Sequence, residues 1–478
     1  MLKLTLTGYL LLCCLLHTIA QDANYWYSSY GPGGFLSPGA VIANNKDSGV
    51  LSYNPALLGY NTKNAASING TIYQWEKTNL INAVGPDHSL KYSTGSVIPQ
   101  MISNTVYMKL KRPITVAYAL THTPVMNFES TQRRDETINV LDDSYSPGNE
   151  SYVGQYSTQR NINITSGILS VGTMLTSKLA VGFSVEGQIR KQYYNVNYSS
   201  RAIINDTSLI AFARVASSEN NYIISNNHFG VLFKAGIAYD LAPEHHLGLL
   251  ITSPLVRLGG KATLFSDILI SNVKDGTVEY NLLANTRQTG LKTKWKMPLS
   301  IAAGYSYDYS KGQLYFATEY FLRVKEYNVV TPQNSYYIRP DTANNSGTSL
   351  LVKFKDARKD VMNFAIGISY YLKPSVTLFG SLRTDFSYAD KNLFADQFGY
   401  VAYTSYWSNY HLQAGGNIKK RKFNMRVGLL LSYGRTSHYQ QEISFNDPKD
   451  TNLLLGSVGE TDAYRFSAGI TFSYIHNF

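Results

Sequence analysis

The feature that most constrains this chain is a period of two sustained over unusually long runs. Tyr464, Phe466, Ala468, Ile470, Phe472, Tyr474 and Phe478 share one side of the last run, while Arg465, Ser467, Gly469, Thr471, Ser473 and Asn477 share the other. Only Ile475 and His476 break the alternation. Successive side chains of a strand point to opposite faces, so this run reads as a strand with one apolar and one polar face. The same reading holds for Phe423, Met425, Val427, Leu429, Leu431 and Tyr433, for Met362 through Leu372, and for Phe229 through Tyr239. These runs are about 10 to 14 residues long, enough for a tilted strand to cross a bilayer, which takes about 9 to 11. Strands of soluble sheets average about 5 to 6. An apolar side against lipid and a polar side toward a lumen is the pattern of a membrane barrel.

Turn chemistry gives the strand count. Short connections are expected at Lys111-Arg112-Pro113, Thr176-Ser177-Lys178, Leu241 to His245, Ser310-Lys311-Gly312, Lys373-Pro374-Ser375 and Lys419-Lys420-Arg421. Each carries Pro, Gly, Ser or Lys at a tight reversal. Between them lie pairs of strands joined by long polar loops. Six short turns separate seven strand–loop–strand units, so the expected fold is all-β: a transmembrane antiparallel β-barrel of fourteen strands. Counts of twelve and sixteen stay open, because the unit from Ser375 to Lys419 is less regular. Short turns belong to the periplasmic rim and long loops to the outside, which places both chain ends in the periplasm.

The rest of the chain fits that compartment. Residues 1–20 read as a signal peptide: Lys3, then an apolar run from Leu4 to Leu16, then Thr18-Ile19-Ala20. The only two cysteines, Cys13 and Cys14, fall inside it, so no disulfide framework and no thiolate metal site is expected beyond it. The terminal Phe478 ends the last strand as an outer-membrane barrel typically ends. The formal charge of +11 is scattered, without a basic helix, and nucleic acid is not an expected partner. Lys109-Leu110-Lys111-Arg112 and Lys419-Lys420-Arg421-Lys422 read as turn residues facing an anionic membrane surface. Beyond residue 20 no apolar run is long enough for a transmembrane helix. Tyrosine, at 38 residues, suits interfacial girdles, where a ring has one apolar and one wet edge.

The domain reading is therefore 1–20 signal peptide, 21–62 a hatch, and 63–478 the barrel. Residues 21–62 are rich in Gly, Pro and Asn yet carry Phe35, Leu36, Val41, Ile42, Val50, Leu51, Leu57 and Leu58, too apolar for a solvated tail. The stretch Gly39 to Ala43, then Asp47 to Leu57 with Asn54-Pro55-Ala56, resembles the N-terminal hatch of the FadL/TodX family of outer-membrane transporters. Phe229 through Tyr239, Pro243, Leu247-Gly248-Leu249 and Ser253-Pro254 resemble that family's internal hairpin. Met297-Pro298 leading into Ala303-Gly304-Tyr305 resembles the opening of a later strand. The start at Asn24-Tyr25-Trp26-Tyr27 departs from the family's usual one and, with the Tyr-rich loops, looks more like members from Bacteroidetes-type bacteria. The resemblance implies a fourteen-stranded barrel plugged by a hatch, with Asp47, Tyr53, Asn54, Pro55 and Ala56 as hatch residues. It also implies passive passage of long-chain fatty acids or other hydrophobic compounds, which leave sideways through a gap in the wall.

No catalytic constellation appears: there is no Gly-x-Ser-x-Gly elbow and no His-Glu-x-x-His, so an enzyme, a cofactor and a metal are not expected. His245 and His246 are neighbours on a strand and face opposite ways. Asn205 to Ser208 reads as a helix cap before Leu209, Ile210, Phe212 and Val215, apolar residues in a predicted external loop. They are candidates for a groove that admits a hydrophobic ligand, or for simple loop packing. Glu186, Lys234, Glu319, Arg323, Arg383, Asp385 and Arg426 fall on predicted inward faces, as a paired lumen network, as ties to the hatch, or as partners of a carboxylate head group. The expected partners are outer-membrane lipid and a hydrophobic small molecule. The alternative is a FadL-like barrel that serves as a subunit of an outer-membrane secretion or assembly complex, with other envelope proteins as partners.

Overall fold

A computed structural model of the chain describes residues 23–26, 40–43, 53–205, 213–275, 278–339, 347–390, 393, 399–401 and 407–478. Each long alternating run is a strand whose inward residues are mostly buried and whose outward residues are apolar and exposed or half-exposed. In β15 (Val361–Lys373), Met362, Phe364, Ile366 and Ile368 are exposed, while Val361, Asn363 and Ala365 are buried.

The wall begins with β1 (Ala65–Leu80), β2 (Leu90–Met108), β3 (Ile114–Ile138), β4 (Glu150–Met174), β5 (Leu179–Ile203) and β6 (Val215–Ala242). It continues with β7 (His245–Thr252), which breaks at Ser253-Pro254 and resumes along β6 as β8 (Val256–Gly259) and β9 (Lys261–Asp275). β10 (Val278–Lys292) folds back on β9 as a hairpin, and the wall passes from β7 directly to β11 (Ser300–Tyr309). Then follow β12 (Gly312–Phe321), β15, β16 (Val376–Asp385), β18 (Ser408–Lys419), β19 (Phe423–Gln440) and β20 (Glu460–Asn477). Every neighbouring pair is antiparallel, and β20 pairs with β1 from Ala65↔Asn477 to Leu80↔Ala463. The result is a closed barrel of fourteen strands, in which each wall strand has a neighbour on both sides and the sheet has no free outer edge. All six expected short turns join consecutive wall strands.

β3, β4 and β5 have 25 residues each and β6 has 28, far more than a bilayer crossing needs. Their surplus lies at the end opposite the short turns, so this quarter of the wall stands above the membrane. The mouth it encloses is filled. A three-stranded sheet of β13 (Val324–Val330), β14 (Phe354–Arg358) and β17 (Tyr400–Val401) is buried there, with Phe354, Asp356 and Arg358 essentially inaccessible. Tyr400 stacks on Tyr222 of β6 with ring centroids 3.4 Å apart, and Phe354 packs on Tyr194 of β5. Tyrosine therefore serves two places. Tyr239, Tyr305, Tyr370 and Tyr433 face outward, but Tyr152, Tyr156, Tyr194, Tyr222 and Tyr439 are core residues of the mouth, not members of a girdle.

Candidate functional site

Inside the lower barrel, the described parts of the N-terminal segment press against the wall. Pro55–Tyr60 is a short 3-10 helix, started by the Asn54 side chain, which accepts the Ala56 N–H at 3.0 Å. The Asn54 amide donates to the carbonyls of Ile42 (2.7 Å) and of Ile237 in β6 (3.1 Å), so one buried residue ties two N-terminal pieces to the wall. This contact requires bare backbone opposite. A methyl group on Gly172 or Gly182 would overlap Pro55, one on Gly236 would overlap Asn54, and one on Gly248 would overlap Ile42. Inward glycines of four successive wall strands thus form a cradle for Ile42 and Asn54-Pro55. Tyr53, Asn54, Pro55 and Ala56 are all in this region, and Asp47 lies outside the described residues.

A second tie holds residues 23–26. The Asp385 carboxylate accepts the backbone N–H groups of Tyr25 (3.1 Å) and Trp26 (2.8 Å), and the Asn24 amide donates to the Asp385 carbonyl at 2.6 Å. The Trp26 indole donates to Glu319 at 2.7 Å. The Tyr25 ring stacks on Phe321, and burial pushes its phenol up to about 12 against the pull of the nearby Arg358 guanidinium, so it stays a neutral hydroxyl. Between these ties and the wall lies a cavity of about 160 Å³, lined by Trp26, Ile42, Tyr53, Leu232, Leu250, Phe321 and four charged residues. Two of the four, Glu186 and Lys234, form an ion pair at 2.9 Å. Glu319 and Arg383 complete the set.

The wall itself opens beside this region. β2 and β3 pair only from Met108↔Ile114 to Met101↔Thr121. Above that point β2 stays with β1 and β3 with β4. The gap closes again through side chains: Ser130 bonds both backbone groups of Lys91, and the Asn127 amide donates to the Tyr92 hydroxyl at 2.7 Å. Pro99 and Pro124 flank the opening, and proline has no N–H to offer a ladder. Both strands are irregular there, with register shifts at Asn69/Gly70 and at Pro124/Met126. Val97, on the rim, is 71% exposed on the lipid side. Behind the window is a cavity of about 410 Å³. Its rim is apolar, with Ile98, Pro99, Val125 and Met126, and its back wall is polar, with His411, Gln100 and an Arg465–Glu76 ion pair at 2.7 Å. Thr121 lines the lumen cavity and Thr123 lies at the window cavity, so adjacent inward positions of β3 border the two.

Of the charges expected inside, Glu186, Lys234, Glu319 and Arg383 meet at one cavity. Arg426 is buried lower down, where its Nε donates to Asn417. Arg323 is not on a wall strand. It lies two positions past the end of β12, its side chain is 59% exposed, and it pairs with Asp390 at 3.0 Å. The alternation that would place Arg323 inward stops at Phe321, where β12 ends. Val215 opens β6 as an outward residue, 39% exposed, and Leu209, Ile210 and Phe212 lie outside the described residues. His245 bonds the Tyr305 hydroxyl, whereas His246 contacts Asp240 and Asp308, so the two histidines do diverge. The resemblance implies a gap in the wall but not its place; Pro99 and Pro124, inside long alternating runs, are the signal that gives the place.

No family model matches the sequence, and no curated protein matches it. Solved structures do match in fold. A FadL homologue from Pseudomonas aeruginosa aligns at 11% identity with a TM-score of 0.54, covering 97% of this chain and 100% of its own. The Pseudomonas putida toluene transporter TodX aligns at 14% identity and TM-score 0.54, covering 97% and 100%. A deltaS2 mutant of the TodX monoaromatic hydrocarbon channel aligns at 14% identity and TM-score 0.59, covering 95% and 100%. The barrel is thus similar along nearly its whole length to barrels of the FadL/TodX type.

Proposed function

We propose that this chain, which has the fold of the FadL/TodX-type channels, is an outer-membrane channel for passive uptake of hydrophobic small molecules. The observation that carries the reading is the window between β2 and β3. A closed barrel leaves no backbone group unpaired toward lipid, and here a stretch of both strands gives that pairing up next to a cavity. An apolar solute leaving through a lipid-facing window avoids the aqueous periplasm. A water-filled pore would offer it no such path.

In this reading the N-terminal pieces act as a hatch and the ligand passes from the lumen cavity along β3 to the window. The polar back wall and apolar rim suit an amphiphile such as a long-chain fatty acid, with Arg383 or Arg465 facing its carboxylate. Val215 and its neighbours in the loop would help admit it. The test is uptake of a labelled fatty acid and a labelled monoaromatic hydrocarbon by cells that carry this protein as their one channel of the kind. Uptake of either above that of cells without it supports the reading, and uptake of neither removes it.

One observation favours a second reading. The mouth is filled by the sheet of β13, β14 and β17, and the tall wall of β3 to β6 offers a large external surface. A barrel built as a subunit of a larger envelope assembly would have these features. Stoichiometric protein subunits that co-purify with the barrel, with no bound apolar molecule, would select it.

A further inference from the structure

The outer surface carries a polar groove where the lipid belt of β4 to β9 ends. Reading up the wall, Ile189 of β5 and Phe229 of β6 are paired, outward and exposed. The next outward row is Asn163 of β4, Lys191 of β5 and Asn227 of β6, each opposite the next. Lys261, at the start of β9, joins the same row, because its backbone N–H donates to the Asn227 side chain at 2.8 Å. The row above holds Asn161, Tyr193, Ser225 and Thr263. Together these rows border a shallow groove of about 550 Å³.

Height fixes what this groove meets. From Leu179 at the short-turn end to Ile189, the outward residues of β5 include Val181, Phe183 and Val185. A tilted strand of that length spans about the 25 Å apolar band of a barrel. Lys191 and Lys261 therefore stand at the head-group level of the leaflet on the long-loop side, with acyl chains directly beneath them. They are two strands apart, at about 4.8 Å per strand, so two flexible four-carbon stems can bring both ammonium groups to one anion. No carboxylate lines the groove, and among the described residues neither lysine has an ion-pair partner. Asn161, Asn163 and Asn227 add amide groups, which suit sugar hydroxyls and phosphate oxygens.

We infer that this groove binds the phosphorylated head group of a lipid in the outer leaflet, its acyl chains lying on Ile189 and Phe229. The inference rests on the membrane-barrel reading but not on what the channel transports. It is tested with the full-length protein in phosphatidylcholine nanodiscs with and without lipid A, bound lipid being counted by native mass spectrometry. Wild type should retain at least one lipid A, and K191Q/K261Q should retain it at least tenfold more weakly, while K191R/K261R keeps it. Inorganic phosphate at millimolar concentration should not displace it. Equal retention by K191Q/K261Q overturns the inference. Full displacement by phosphate would make the groove a free-anion site and overturn it too. Heat-dependent migration on a gel shows separately that each variant is a folded barrel, so loss of the barrel reading would be seen on its own.

Discussion

At the scale of single residues, two kinds of contact matter most: those that seat the N-terminal segment and those that seat the loops. Asn54 makes three hydrogen bonds from a fully buried position. Asn54→Ala leaves two carbonyls and the start of the 3-10 helix unsatisfied, at a cost of about 1–3 kcal/mol. Hydrogen exchange of residues 40–60 should rise while that of the wall stays unchanged. Gly182→Val acts from the other side, because its side chain would occupy the space of Pro55. Protease access to the N-terminal segment should increase without loss of the barrel. In the mouth, Arg160 of β4 pairs with Glu442, and both are almost wholly buried. Glu442→Gln leaves a buried guanidinium without its counter-charge, a loss of about 3–5 kcal/mol. Exchange should therefore rise in residues 441–459, between β19 and β20. Asn54-Pro55-Ala56 was legible in the sequence as a motif, but its cradle was not. Gly172, Gly182, Gly236 and Gly248 look like ordinary small inward residues until the fold brings them together. Arg160 and Glu442 are 282 positions apart, and no spacing rule joins them.

Among the elements, the wall strands and their six short turns were readable because period-two patterning and turn chemistry are local. The small sheet of β13, β14 and β17 was not, because its strands are short and two of them meet in parallel across a long stretch of chain. The position of the window was hidden for a different reason. Alternation marks which residues form a strand, but it does not say whether a neighbour accepts its hydrogen bonds. Pro99 and Pro124 carry that information. Replacing both with valine restores two N–H donors at the gap and favours extension of the β2–β3 ladder beyond Met101↔Thr121. P99V/P124V should fold normally and lower uptake of a hydrophobic compound several-fold. Unchanged uptake in a folded variant would mean that the window is not the way out.

For the molecule as a whole, the proposed function joins a closed wall to a side opening, as a path for apolar solutes from outside into the membrane plane. In that proposal the filled mouth leaves entry to the loops and not to an open shaft. Strand patterning pointed to a membrane barrel but not to its cargo, since the lining of both cavities mixes apolar and charged groups drawn from distant strands. The most direct measurement is uptake by cells of an outer-membrane host that lacks other such channels, comparing wild type, P99V/P124V and no protein, with labelled fatty acid and labelled monoaromatic hydrocarbon. The account predicts uptake with wild type for at least one compound, well above the protein-free background, and uptake several-fold lower with P99V/P124V. Background uptake by a well-inserted wild-type protein would contradict it.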